Sequence, residues 1–173
     1  PDRPVKLWID PGFNYYAVVP VQIVDEPNLG PFIRVFDEIY MEAASDQAVI
    51  QEAMHRLWWS GVRDAVIDQA AHQHRQEAPD RLSTAEHWLQ WARMMPRSQW
   101  VGIVDGIGRV RQALLDKRSG RPRIMYDESC TRFIEEYRLY KYRLDRDGGR
   151  SHSELPIDKW NHHLKALGYG LAD

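Results

Sequence analysis

Two aspartates stand where paired strands could bring them together. Asp10 closes the run Val5-Lys6-Leu7-Trp8-Ile9 and leads into the break Pro11-Gly12. Asp68 closes a second short run, Asp64-Ala65-Val66-Ile67. If these runs pair in parallel, both carboxylates lie side by side at one sheet edge. Neighbouring carboxylates repel unless a proton or cation sits between them, and oxygen ligands of this kind suit Mg²⁺ or Mn²⁺. Two such ions ~3.5–4 Å apart can activate a water and stabilise the leaving oxygen of a phosphodiester. Taken singly, each residue has a plainer reading: Asp10 shapes an Asp-Pro-Gly turn, and Asp68 ends a strand.

A third group comes from the end of the chain. Asp158, His162 and Lys165 fall at i, i+4 and i+7, one face of a helix. Either Asp158 or His162 could complete a metal shell, while Lys165 could offset charge or hold a phosphate. The plainer readings are a helix cap for Asp158 and a surface histidine for His162. His72 and His74 have no further ligands at zinc spacing. The stretch 102–108 is glycine-rich but lacks the Gly-Lys-Ser/Thr ending of a phosphate loop, and no Gly-x-Ser-x-Gly elbow occurs.

The elements that must position these groups can be read from the pattern. Strands are expected at 5–9, 15–24, 32–40, 64–68 and 123–126, with turns at Asp10-Pro11-Gly12 and Asn28-Leu29-Gly30-Pro31 between the first three. Ser45 caps a helix over 46–59, and Ser83 with Glu86 forms a capping box for another reaching residue 95. Further helices are expected over 106–116 and 130–142, and Pro156 opens a last one with Asp158 in its first turn. Residues 72–82 and 145–153 read as polar loops near the site. A hairpin-linked trio followed by crossover strands predicts an α/β protein with a mixed five-stranded central sheet flanked by helices, the layout of an RNase H-like domain.

The chain has 173 residues, 43% hydrophobic and 28% charged, which fits one domain spanning 1–173. Its start without a methionine reads as a domain cut from a longer protein or a processed chain. A lone cysteine, Cys130, excludes a disulfide framework or a cysteine-based zinc site within the chain and fits a reducing compartment. No apolar run approaches the ~18 residues needed to span a bilayer, and no secretory signal pattern is present. A net charge of −2 argues against nucleic acid only as an average. Residues 109–150 hold 12 Lys and Arg against 7 Asp and Glu, whereas residues 1–108 hold 9 against 15. Arg118, Arg121, Arg123, Lys141, Arg143 and Arg146 in the basic stretch, with Lys165, are candidates for phosphate contacts that orient DNA without reading bases. A solvated charged face is the alternative.

Four passages in order resemble the C-terminal nuclease domain of the large terminase subunit of tailed bacteriophages. Trp8-Ile9-Asp10-Pro11-Gly12-Phe13 resembles that family's opening strand and first metal aspartate, and Ala65-Val66-Ile67-Asp68 its second acidic strand. Gly106-Ile107-Gly108-Arg109-Val110-Arg111 is similar to its Gly-Ile-x-x-Val-Arg helix. Cys130, Ile134, Glu136 and Tyr140 match its Cys-x-x-x-Ile-x-Glu-x-x-x-Tyr pattern. The closing helix departs from it. Asn161-His162-His163-Leu164-Lys165-Ala166-Leu167-Gly168-Tyr169 stands where many members read Asp-His-x-x-Asp-Ala-Leu-x-Tyr, so lysine replaces an acidic ligand.

The resemblance implies an RNase H-like fold and an endonuclease with two Mg²⁺ or Mn²⁺ ions that cuts double-stranded DNA concatemers during viral genome packaging. It also implies an ATPase domain in the intact protein, a small terminase subunit and a portal as partners, and the cytoplasm of an infected bacterial host as the location. Asp10 and Asp68 would hold metal, with His162 or Asp158 completing the shell. Two alternatives stand beside this: a DNA-gripping or docking module with a degenerate metal site, motivated by Lys165, and another RNase H-like nuclease of resolvase or transposase type.

Overall fold

The computed structural model describes residues 3–12, 14–74, 80–141, 156–157 and 161–173. Seven strands form one sheet: β1 (Val5–Pro11), β2 (Tyr15–Glu26), β3 (Gly30–Val35), β4 (Ile39–Glu42), β5 (Val62–Asp68), β6 (Arg97–Gln99) and β7 (Ile124–Tyr126). The order is β6-β5-β1-β2-β3-β7, with β4 pairing β2 beyond the end of β3. β1 to β3 are antiparallel neighbours, while β5 runs parallel to β1, β6 to β5 and β7 to β3.

The expected sheet had five strands. The run 32–40 divides because Asp37 and Glu38 bond elsewhere. Asp37 accepts from the Trp58 indole at 2.6 Å, and Glu38 accepts from the backbone N–H groups of Arg132 and Phe133. The chain leaves the ladder there and rejoins β2 as β4, opposite Tyr15 to Val18. β6 is the polar tripeptide Arg-Ser-Gln, with no apolar alternation to announce it.

Alternation within the strands sorts side chains to two cores. Val5, Leu7 and Ile9 of β1, with Ala65 and Ile67 of β5, pack against α1 (Asp46–His55) and α2 (Thr84–Ala92). Trp8 and Val66 point the other way, into a core with α3 (Ile103–Leu114), α4 (Thr131–Leu139) and α5 (His162–Ala172). Helices therefore cover both faces. The same alternation directs Asp10, two after Trp8, and Asp68, two after Val66, to the α5 face.

The Ser83 cap and the Glu86 capping box form as expected, and Ser45 caps α1. α1 ends at His55, four residues before the expected Trp59, and α3 begins three residues early, at Ile103. The last helix differs most. Pro156 and Ile157 are not helical, and α5 starts at His162 behind Asn161. Asp158, Arg143, Arg146, residues 75–79 of the first expected loop and all of the second lie outside the described residues.

α5 lies close on the sheet and on α3. A Cβ on Gly170 would fall 1.9 Å from Cδ2 of Trp8, and one on Gly168 3.3 Å from the Gly106 Cα. Gly170 has no room for a side chain, and one at Gly168 would press on α3 by a few tenths of an ångström.

Candidate active site

β1 and β5 pair with Ile9 opposite Ile67, so the next residues, Asp10 and Asp68, stand side by side at the carboxyl ends of parallel strands. Asp10 is only 5% exposed. Burial holds its carboxyl above the usual aspartate range, opposed by the hydrogen bond and charge of His162 and the charge of Lys165, while Asp68 adds to the rise. Without a further cation, this pair, with Asp10 buried and Asp68 half-buried, is short of positive charge.

α5 clasps the pair. At its first residue, His162 Nδ1 lies 2.8 Å from Asp10 Oδ2. Two turns on, the Tyr169 hydroxyl donates to Asp68 Oδ2 at 3.2 Å. Burial raises the Tyr169 pKa, and the charges of Asp10 and Asp68 raise it further, so the phenol stays a donor. The remaining Asp68 oxygen, Oδ1, accepts the Ala70 N–H at 3.2 Å and caps a short turn. The His162 ring sits beside Tyr15 and Tyr40, with centroids 5.7 and 6.4 Å away. A Cβ on Gly12 would come within 2.6 Å of that ring, so glycine leaves room for the imidazole.

Glu136 of α4 fixes where α5 begins. Its carboxylate accepts the backbone N–H groups of His162 and His163, each at 3.1 Å, satisfying donors that a helix start leaves open. The Tyr40 hydroxyl donates to Oε1 at 2.8 Å, and His163 Nδ1 bonds Oε2. Burial pushes the His163 pKa down, against the pull of Glu136. Burial also tends to raise the Glu136 carboxyl, but its hydrogen bond with His163, the other bonds and the imidazole's charge outweigh that and lower it. His163 and Glu136 thus form a buried, hydrogen-bonded pair. The imidazole stacks on Phe133 at 4.6 Å, and Tyr126 and Tyr137 pack edge-on to it.

Asp10, Asp68, His162 and Lys165 are thus gathered on one side of the sheet. Lys165 also lines a cleft of about 240 Å³ between α3 and α5, together with Tyr169, Arg111 and the exposed Lys141. Arg118, Arg121 and Arg123 are exposed between α3 and β7. Arg121 donates to the Asn28 carbonyl at 2.6 Å, at the β2–β3 turn. That turn is the opposite end of β2 from Asp10, roughly 30 Å away at about 3.3 Å per residue. The fold does not bring these three arginines to the carboxylate pair. His74 bonds the Arg81 carbonyl and is exposed, away from any metal-binding arrangement.

Tyr169 and Glu136 carry roles that motif reading left unassigned. Tyr169 was findable: it falls seven residues after His162, on the same helical face. Glu136 stands in the Cys130–Tyr140 pattern, but its role could not be read there, because its partners lie on β4 and α5.

Among the described residues, no group of three or more His, Cys, Asp and Glu side chains is arranged to hold a metal. The two-carboxylate donor set nevertheless fits Mg²⁺ or Mn²⁺. Mg²⁺ commonly binds through one or two carboxylates, with water and substrate phosphates filling the other positions.

No protein-family model and no curated sequence matches this chain. A solved structure does. The crystal structure of the g2p large-terminase nuclease domain from bacteriophage SPP1, with bound Mn, matches with a TM-score of 0.64 and 17% identity. The match covers 98% of this chain and 85% of that one. The chain has the RNase H-like fold of a large-terminase nuclease domain. RuvC of Thermus thermophilus also matches, over 96% of this chain and 91% of that one, but with a TM-score of 0.39 and 13% identity. No described helix is long and apolar enough to cross a membrane.

Proposed function

We propose that this chain is a divalent-metal-dependent endonuclease that cuts double-stranded DNA, acting on concatemers during viral genome packaging. The observation that carries this reading is the carboxylate pair, Asp10 and Asp68, at adjacent parallel strand ends beneath a helix that bonds both. The likeness in fold to a terminase nuclease domain supports it. Asp10 and Asp68 would hold Mg²⁺ or Mn²⁺, which when bound activates water and stabilises the leaving oxygen of a phosphodiester.

The chain's own residues supply the rest. His162 and Tyr169 hold the two carboxylates in place, as hydrogen-bonded second partners of metal ligands do. Lys141, Lys165 and Arg111 line the adjoining cleft with positive charge suited to phosphate. Arg118, Arg121 and Arg123 would engage the DNA backbone farther along, about nine base pairs from the cut at 3.4 Å rise. An ATPase domain of the parent protein, a small terminase subunit and a portal are the partners this role implies. The cytoplasm of an infected bacterium is the corresponding place.

A second reading has one observation in its favour, the lysine on the α5 face that meets the carboxylate pair. It makes the chain a DNA-gripping module without cleavage. Incubation with supercoiled plasmid and Mn²⁺ separates the two. Nicked and linear products support the nuclease, whereas salt-sensitive retention of intact plasmid supports the module.

A further inference from the structure

We propose that the site takes a single divalent cation, with the Lys165 ammonium as the second positive charge beside the carboxylate pair. This rests on the nuclease reading above and adds the ion count, in place of the two ions expected from the sequence. The decisive juxtaposition is on α5. His162, Lys165 and Tyr169 fall at i, i+3 and i+7 and share a face. The outer two are bonded to Asp10 and Asp68, so the lysine stands between them on the face that meets the pair. Its charge acts on Asp10.

The helix cannot easily carry Lys165 away. Glu136 holds its first residues. Arg97 of β6 and Lys6 of β1 hold Asp173 at its end, and both also pair with Asp64 of β5. Gly168 and Gly170 seat its middle on α3 and Trp8.

Among the described residues, formal charge favours one ion. Two carboxylates and one phosphodiester are neutralised by one divalent ion and one ammonium. A second divalent ion would leave the site strongly positive and would face the ammonium at close range, where like charges repel. Two carboxylates plus a substrate phosphate are also a sufficient protein and substrate share for one Mg²⁺.

The test counts Mn²⁺ bound to the 173-residue chain, by the electron paramagnetic resonance signal of the free ion during titration. The expected result is one ion per chain in the wild type, none in Asp10→Asn and two in Lys165→Asp. Lys165→Gln, which introduces no new ligand charge, should bind Mn²⁺ several-fold more tightly, and Lys165→Arg should match the wild type. Two ions in the wild type would overturn the single-cation inference and leave the metal site standing. So would an unchanged count in Lys165→Asp together with unchanged affinity in Lys165→Gln. Binding that Asp10→Asn does not weaken would instead overturn the site itself, and the inference with it.

Discussion

His162 Nδ1 lies 2.8 Å from Asp10 Oδ2, joining the first residue of the last helix to the last buried residue of the first strand. The two are 152 positions apart in sequence. This bond sets the orientation of a carboxylate that the fold otherwise buries. Removing the imidazole in His162→Ala should lower Mn²⁺-dependent DNA cleavage about 10–100-fold, the usual effect of losing a partner behind a metal ligand. Tyr169→Phe should act in the same direction through Asp68. Initial rates on plasmid at fixed Mn²⁺ measure both.

Glu136 serves four donors at once, so its loss should be felt in stability before chemistry. Glu136→Ala leaves buried N–H groups at the start of α5 without an acceptor, at about 1–3 kcal/mol for each group left unsatisfied. The urea midpoint should fall sharply without a change in slope. Cleavage should fall as well, because His162 loses its anchor.

Close packing under α5 gives a prediction independent of any chemistry. Gly170→Ala drives a methyl into the Trp8 ring. Overpacking of this kind costs about 1–3 kcal/mol. Gly108→Ala, on the open side of α3 where a Cβ meets nothing within 4 Å, should leave stability unchanged or slightly raised. Thermal unfolding of the two variants side by side checks the contrast.

A second histidine gives a pH dependence whose sign is fixed. His87 of α2 bonds Asp46 at 2.7 Å through Nδ1 and Asp80 at 2.9 Å through Nε2, and stacks on Trp91. Burial disfavours its charged form, but the hydrogen bonds and charges of the two aspartates outweigh that, and its pKa is raised. Stability from a raised histidine is complete below its unfolded value, about 6.5, and fades as pH climbs through the folded value. The Tm advantage of wild type over His87→Gln should therefore be larger at pH 6 than at pH 8.5. An advantage that grew toward alkaline pH would contradict the double pairing.

Arg121 and Arg123 lie far from the carboxylates, so their loss should weaken DNA binding without touching the chemical step. The double alanine variant should lower the slope of log affinity against log salt by about 2, near 0.9 for each phosphate contact. Its cleavage rate at saturating DNA should stay near that of wild type.

Much of this arrangement was legible in the residues. Strand ends at Asp10 and Asp68, the meander that begins with the Asp10 strand and the crossover to β5 followed from apolar runs and turn residues. The facing of both aspartates toward α5 follows from alternation with Trp8 and Val66. What was hidden depended on distant partners. The split of β3 from β4 turns on Asp37 reaching Trp58 and on Glu38 capping α4. β6 forms because β5 offers its edge, with Val66 opposite Arg97, although the tripeptide has no strand pattern of its own. The late start of α5 is set by Glu136, whereas local signals favoured Pro156. The charge segregation was real in the sequence, but only the sheet register revealed that Arg118, Arg121 and Arg123 stand at the other end from the carboxylate pair.

The most direct measurement is conversion of supercoiled plasmid to nicked and linear forms by the wild type, Asp10→Ala and Asp68→Ala, with Mn²⁺ and with EDTA. All three proteins should first show the same circular dichroism. The account predicts cutting by the wild type with Mn²⁺ alone, none with EDTA and none by either variant. Undiminished cutting by both variants, or cutting that persists in EDTA, would contradict it.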